Sequence, residues 1–168
     1  MGAKATSLTR AILLDNTVLT NFALVNRADL VMRLWPTLVC TTPEVSAEYG
    51  IGVSSGSLPT DAWADLPIVT LTAEEINFAA GLSPRLGKGE RTCLAAAFHR
   101  QGLFATDDLD ARRAAWAHGV TTTGTLGILV LCVQQHHLSR GQADALLAEM
   151  IASGYRSPMI NLEQLIDE

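Results

Sequence analysis

The sequence predicts an α/β fold: one three-layer α/β/α domain, with a mainly parallel sheet of about five strands and helices on both faces. Apolar runs of strand length alternate with stretches at helical spacing, the pattern of consecutive βα units. Two of those runs stop abruptly at acids before the chain turns helical. Ala11-Ile12-Leu13-Leu14 runs into Asp15, and Leu103-Phe104-Ala105-Thr106 runs into Asp107 and Asp108. The size agrees, because 168 residues with 48% apolar and 17% charged side chains build one well-buried core and are too few for two independent domains.

Strand one spans about Arg10 to Leu14, a continuous apolar run suited to a sheet covered on both faces. A first helix carries Leu19, Phe22 and Ala23, breaks at Asn26 and resumes through Leu30, Val31 and Leu34. Trp35-Pro36 ends it, since the residue before proline is pushed out of the α region. Leu38-Val39-Cys40 is a second strand, and Thr42-Pro43-Glu44 starts a helix with an N-cap threonine and proline at the first helical position. Gly50 to Pro59, rich in Gly and Ser, reads as a surface loop. Pro67 to Leu71 reads as a short strand or extended connector, and Thr72-Ala73-Glu74-Glu75 opens another helix.

Gly87-Lys88-Gly89-Glu90 is a glycine-flanked turn that delivers Glu90 into the first turn of an alanine-rich, buried helix from Arg91 to Arg100, and its glycines allow close approach of another group. After the acids at 107 and 108 come a helix from Asp110 to Ala117 and a strand at Val120-Thr121-Thr122. Gly124-Thr125-Leu126-Gly127 then starts an apolar helix reaching Gln135. Ser139 caps a last long helix through Ile151, and Asn161 to Ile166 forms a final amphipathic turn.

A net charge of −5 and a pI near 5.3 exclude a broad basic face, so a nucleic acid would be held by a few local cations or through metal ions. Cys40, Cys93 and Cys132 sit in apolar runs without metal-like spacing and read as buried free thiols. Asp15 and Asn16 interrupt the only apolar run near the N-terminus, and Leu126 to Val133 is far shorter than the roughly 20 residues a membrane span needs, so a cytoplasmic protein with no membrane partner is expected.

In an open parallel sheet, ligand sites lie beyond the carboxyl ends of the strands where the strand order reverses, so acids far apart in sequence meet there. Asp15, Glu48, Glu90 and Asp107 or Asp108 are placed for this. Glu44 shares a helix face with Glu48, but its first-turn position is explained by the helix dipole, which makes Glu48 the preferred site residue of the two without deciding between them. Carboxylates gathered about 4 Å apart repel by roughly 4 kcal/mol at an effective dielectric near 20 and take up a proton or a cation. An all-oxygen donor set without His or Cys selects Mg2+ or Mn2+ over Zn2+. Lys88, Arg91 and Arg112 flank the crevice as candidate phosphate contacts, whereas His99, His118, His136 and His137 read as surface or helix-end residues.

Leu13 to Leu19, Pro43 to Glu48, Gly87 to Glu90, Thr106-Asp107-Asp108 followed by Ala111-Arg112, and Gly124 to Leu129 together resemble the PIN-domain ribonucleases. The resemblance runs from Ile12 to about Pro158. It is strongest to VapC-like members that carry the Gly-Thr-Leu-Gly element and a late Gly-Tyr/Phe-Arg-Ser-Pro turn, here Gly154 to Pro158. It implies a single PIN-like domain over residues 1–168, with a last short helical segment at about 158–168. It also implies an acidic quartet of Asp15, Glu48, Glu90 and Asp107, with Asp108 replacing or supporting Asp107, and Asp15, Glu90, Asp107 and Asp108 as the metal ligands. Thr17 and Thr106 would orient carboxylates or the attacking water. The implied activity is hydrolysis of RNA phosphodiester bonds by a metal-activated water, leaving 5′-phosphate ends. The implied partners are RNA, a cognate antitoxin protein and a second copy in a homodimer, for which the helix pair from Thr17 to Leu34 is an interface.

Two other readings compete. A non-catalytic PIN-like module would bind RNA or protein through the same residues without turnover, and the net charge of −5 keeps it in view. A haloacid-dehalogenase-like phosphatase would need a second aspartate two residues after Asp15, where this chain has Thr17.

Overall fold

A computed structural model describes residues 10–166; the ends of the expected domain, 1–9 and 167–168, lie outside the described residues. Strands β1 (Ile12–Leu14), β2 (Val39–Cys40), β3 (Leu103–Ala105) and β4 (Thr121–Thr123) form a sheet ordered β2-β1-β3-β4 with every pairing parallel. Leu13 faces Phe104, which in turn faces Thr122. Leu13, Leu14 and Phe104 are wholly buried, as continuous apolar strands require when helices cover both faces. The all-threonine β4 is one of the two edge strands, and it is the least buried of the four.

The expected fifth strand shrinks to one parallel bridge between Thr41 and Ile68. Thr41 N–H donates to the Pro67 carbonyl at 3.0 Å and Val69 N–H to the Thr41 carbonyl at 2.9 Å. Pro67 has no N–H with which to extend the ladder.

The helices are α1 (Asn16–Leu24), α2 (Ala28–Leu34), α3 (Pro43–Ser54), α4 (Ala73–Gly81), α5 (Lys88–His99), α6 (Leu109–Ala117), α7 (Thr125–Gln134) and α8 (Arg140–Ala152). On one side α3, α4 and α5 pack together and α5 lies on β1 and β3. On the other, α7 lies on β4 and packs with α2 and α8. The starts fall where the sequence places them. Thr42 accepts from Val45 N–H, and Thr72 with Glu75 and Ser139 with Gln142 form capping boxes. Asn26, at φ 54°, makes the left-handed break between α1 and α2.

One loop expectation is corrected: residues 50–54 are the last turns of α3, and the loop begins only after Ser54. A glycine stands at position 52 of this helix because a Cβ would lie 2.5 Å from the Leu58 side chain, which folds back over the helix, and both Ser57 and Leu58 donate to the Gly52 carbonyl. The expected last helical segment is likewise only one hydrogen-bonded turn, Leu162 to Ile166. Its fully buried Leu162 is tied to α8 by a 2.8 Å hydrogen bond from Leu162 N–H to Asp144 Oδ1. The three cysteines are buried and free, as expected. Among the described residues no helix is long and apolar enough to cross a membrane.

After β1 the chain steps to β2 on one side and later to β3 on the other, so the order reverses between β1 and β3. Asp15 follows β1 and Thr106-Asp107-Asp108 follow β3, at the carboxyl ends of the two strands that flank this switch point.

Candidate active site

Asp15 is the most buried of the predicted site acids, 1% exposed. Its N–H donates to the Ala105 carbonyl at 3.0 Å, which continues the β1–β3 pairing by one rung. Its side chain caps α1: Oδ1 accepts from Asn16 N–H at 2.6 Å, while Oδ2 accepts from the hydroxyls of Thr106 at 2.7 Å and Thr17 at 3.4 Å. Burial pushes Asp15 up to about 6, and the charge of Glu48 adds to that shift against the downward pull of these hydrogen bonds.

Glu48 reaches from α3 to the first turn of α5, where Gly89 N–H donates to its Oε1 at 3.0 Å. A Cβ at position 89 would stand 2.9 Å from both Glu48 carboxylate oxygens and 2.8 Å from Val45, so the close approach foreseen at this glycine turn is the Glu48 carboxylate. Glu90 turns back on the same helix start and accepts from Gly87 N–H at 2.8 Å. Glu90 is pushed up to about 7, first by burial and then by the charges of Asp15, Asp108 and Glu48, with the Gly87 bond opposing. Glu44 is half-buried, and its Oε2 has no hydrogen-bond partner among the described residues.

The neighbouring aspartates diverge. Asp108 caps α6, accepting from Ala111 N–H at 2.8 Å, and its own N–H donates to Thr106 Oγ1 at 3.2 Å. Asp107 caps α7 instead. Its Oδ1 accepts from Thr125 N–H at 2.8 Å and the Tyr155 hydroxyl at 3.5 Å, and its Oδ2 from Thr125 Oγ1 at 2.5 Å and Asn21 Nδ2 at 3.1 Å. Gly124 leaves room for this, since a Cβ there would lie 2.6 Å from Asp107 Oδ1. Thr17 joins the two halves by accepting Asp107 N–H at 3.1 Å while donating to Asp15.

A family model described as a PIN domain matches residues 11–168. The chain belongs to the PIN-domain family. No curated protein and no solved structure matches it. PIN domains are generally nucleases, with nucleic acid as substrate, and PIN nucleases typically use divalent metals.

In this PIN domain the N-termini of α1, α5, α6 and α7 all carry a carboxylate. Helix dipoles and free N–H groups thus offset part of the repulsion among the acids. Among the described residues no three His, Cys, Asp or Glu side chains form a ready cage for an ion. The donor set nevertheless suits a hard cation that keeps most of its water. Mg2+ characteristically binds through one or two carboxylates, waters and substrate phosphate rather than an all-protein cage. Asp15 and Glu90, both raised by burial and by neighbouring acids, are the two carboxyls whose ionised forms gain most from a cation.

Lys88 is exposed and Arg91 and Arg112 are half-buried at the same helix starts; among the described residues none of the three makes an ion pair, and the Nε atoms of both arginines are buried without a partner. The histidines take no part. His99 and His118 meet Phe78 and Phe98 in an aromatic cluster at the far ends of α5 and α6. Sequence reasoning missed Asn21 and Tyr155, which hold Asp107, and Arg156 beside them. Asn21 did leave a signal, as a poor helix former one turn after Thr17.

Proposed function

We propose that the chain is a VapC-like endoribonuclease dependent on Mg2+ or Mn2+ that hydrolyses RNA phosphodiester bonds. The observation that supports this most strongly is that the acids near the switch point act on one another's charge: burial, with the charge of Glu48 added, raises Asp15 to about 6, and burial, with the charges of Asp15, Asp108 and Glu48 added, raises Glu90 to about 7. A bound divalent ion would supply charge neutralisation and a polarised water that is easier to deprotonate than bulk water.

Asp15, Glu90 and Asp108 would hold the ion. Thr106 and Thr17 fix Asp15 Oδ2 in place, so its carboxylate need not reorganise on loading. Glu48 is anchored through Oε1 on Gly89 N–H, which leaves Oε2 to orient the attacking water and accept its proton. Asp107, with both oxygens engaged by Thr125, Asn21 and Tyr155, is assigned to positioning α7 and the 155 turn rather than to the metal. Lys88, Arg91 and Arg112 would attract the phosphate backbone that the net charge of −5 otherwise repels.

The Gly124 to Gly127 element and the Gly154 to Pro158 turn, which resemble those of VapC-like toxins, extend the proposal. The whole of 1–168 would act as one domain, as a cytoplasmic homodimer, restrained by a cognate antitoxin. A non-catalytic RNA- or protein-binding PIN module is the second reading, favoured by the acidic net charge. Incubation of purified protein with a mixed RNA pool separates the two. New 5′-phosphate ends that appear with Mn2+ and vanish with EDTA support the nuclease; RNA binding without cleavage in Mn2+ supports the module.

A further inference from the structure

Two clefts share Asp107, Tyr155 and Arg156 as a common wall. One, of about 370 Å³, has Asn16, Thr17, Thr20 and Asp108 on its other sides. The second, of about 750 Å³, runs between α6, α7 and the tail, and is floored by Leu126, Val130 and Met159 with Arg112 at its acid end. Leu109 and Leu165 on its rim are 53% and 41% exposed. The cations here are free. Among the described residues neither Arg112 nor Arg156 makes an ion pair, in a chain of net charge −5. An apolar trough whose acid end carries two unpaired guanidinium groups matches a ligand with alternating flat apolar and anionic parts.

We propose that the two clefts form one track for single-stranded RNA, in which Arg156 and Arg112 grip the phosphate next to the bond that is cut and a nucleobase lies in the apolar groove. This rests on the nuclease reading above. The planar fork of arginine suits phosphate oxygens, and a groove floored by Leu, Val and Met accepts an unstacked base without reading its edge. A duplex keeps its bases stacked and cannot enter. Arg156 is therefore a determinant of substrate binding, and the groove a determinant of which base flanks the cut.

The test measures anisotropy of a labelled single-stranded oligoribonucleotide of mixed sequence on the full chain in EDTA, then maps cleavage in Mn2+. Arg156→Ala should weaken RNA binding about ten-fold and flatten its salt dependence, while Arg156→Lys recovers much of the loss. Leu165→Asp, at an exposed position, should weaken binding and shift the base preference beside the cut. Calorimetric Mn2+ affinity should be unchanged in all three. RNA affinity and cut preference unaltered in both Arg156→Ala and Leu165→Asp would overturn the track, leave the groove to a protein segment and leave the nuclease reading intact. Equal competition by a duplex of the same sequence would also overturn it. RNA binding that depends on these residues, without metal-dependent cleavage, would uphold the track and remove the nuclease.

Discussion

The Thr106 hydroxyl donates to Asp15 Oδ2 at 2.7 Å, joining residues 91 positions apart at the ends of two adjacent strands. Burial pushes the Asp15 carboxyl up, and this hydrogen bond, with those from Asn16 N–H and Thr17, opposes the rise and is a large part of what keeps the carboxylate ionisable near neutral pH. Thr106→Val, which keeps the shape and removes the donor, should raise Asp15 beyond about 6. The acid limb of the pH–rate profile should then move to higher pH with the fold unchanged by circular dichroism. An unmoved acid limb would mean that Asp15 is not the group that titrates there.

The raised carboxyls also set a stability profile for the metal-free protein. A carboxyl whose folded pKa lies above its unfolded value favours folding when protonated, and that contribution is lost as pH rises through the folded pKa. With Asp15 raised from 3.8 to about 6 and Glu90 from 4.5 to about 7, thermal stability in EDTA should fall as pH rises from 4 to 7.5. Mn2+ should restore it most at the alkaline end, and Asp15→Asn should flatten the slope. Stability that rises over this window in wild type and Asp15→Asn alike would contradict the assignment. The buried Glu75, held below its ordinary value by its hydrogen bonds to Arg100, works in the opposite sense and only at lower pH, losing its contribution as pH falls below about 4.5.

Adjacent aspartates should separate by phenotype. Asp107→Ala strips acceptors from Thr125 N–H, Asn21 and Tyr155 and should cost about 2 kcal/mol in chemical denaturation. Asp108→Asn keeps an equally good N-cap for α6 and should stay within about 0.5 kcal/mol of wild type. Yet Asp108→Asn should be the variant that loses Mn2+ affinity. The reverse pattern would exchange the two roles.

The fold was legible in the sequence where local chemistry and tertiary packing agree. The apolar runs at Ile12 and Leu103, the caps at Thr42, Thr72 and Ser139, and the break at Asn26 all appear as read. Residues 50–54 escaped because Gly and Ser argue for a loop, whereas the return of Leu58 over Gly52 rewards a helix. Of the short strand or extended connector read at residues 67–71 the connector prevails, since Pro67 has no N–H with which to extend the ladder beyond one bridge. Within the candidate site, strand-end position located Asp15 and the Asp107-Asp108 pair. The direction each aspartate faces depends on the N-termini of α6 and α7, which are tertiary facts that spacing does not carry. Tyr155 and Arg156 arrive from a turn after α8, and only packing brings them to Asp107.

Gly89→Ala tests the contact that seats Glu48. Helix propensity alone favours alanine by up to about 1 kcal/mol, but the new methyl would sit 2.9 Å from both Glu48 oxygens and displace them from the α5 N-terminus. The expected outcome is a folded protein with RNA cleavage reduced about ten-fold or more. Wild-type turnover would show that Glu48 need not stand where it does.

The measurement that tests the central claim most directly is the single-turnover rate of end-labelled RNA cleavage in Mn2+ for wild type, Asp15→Asn and Asp108→Asn, each checked for an intact fold. The account predicts cleavage to 5′-phosphate ends by wild type, none in EDTA, and losses on the order of a hundred-fold or more in both variants. Cleavage that persists in EDTA, or that survives both substitutions at the wild-type rate, would contradict it.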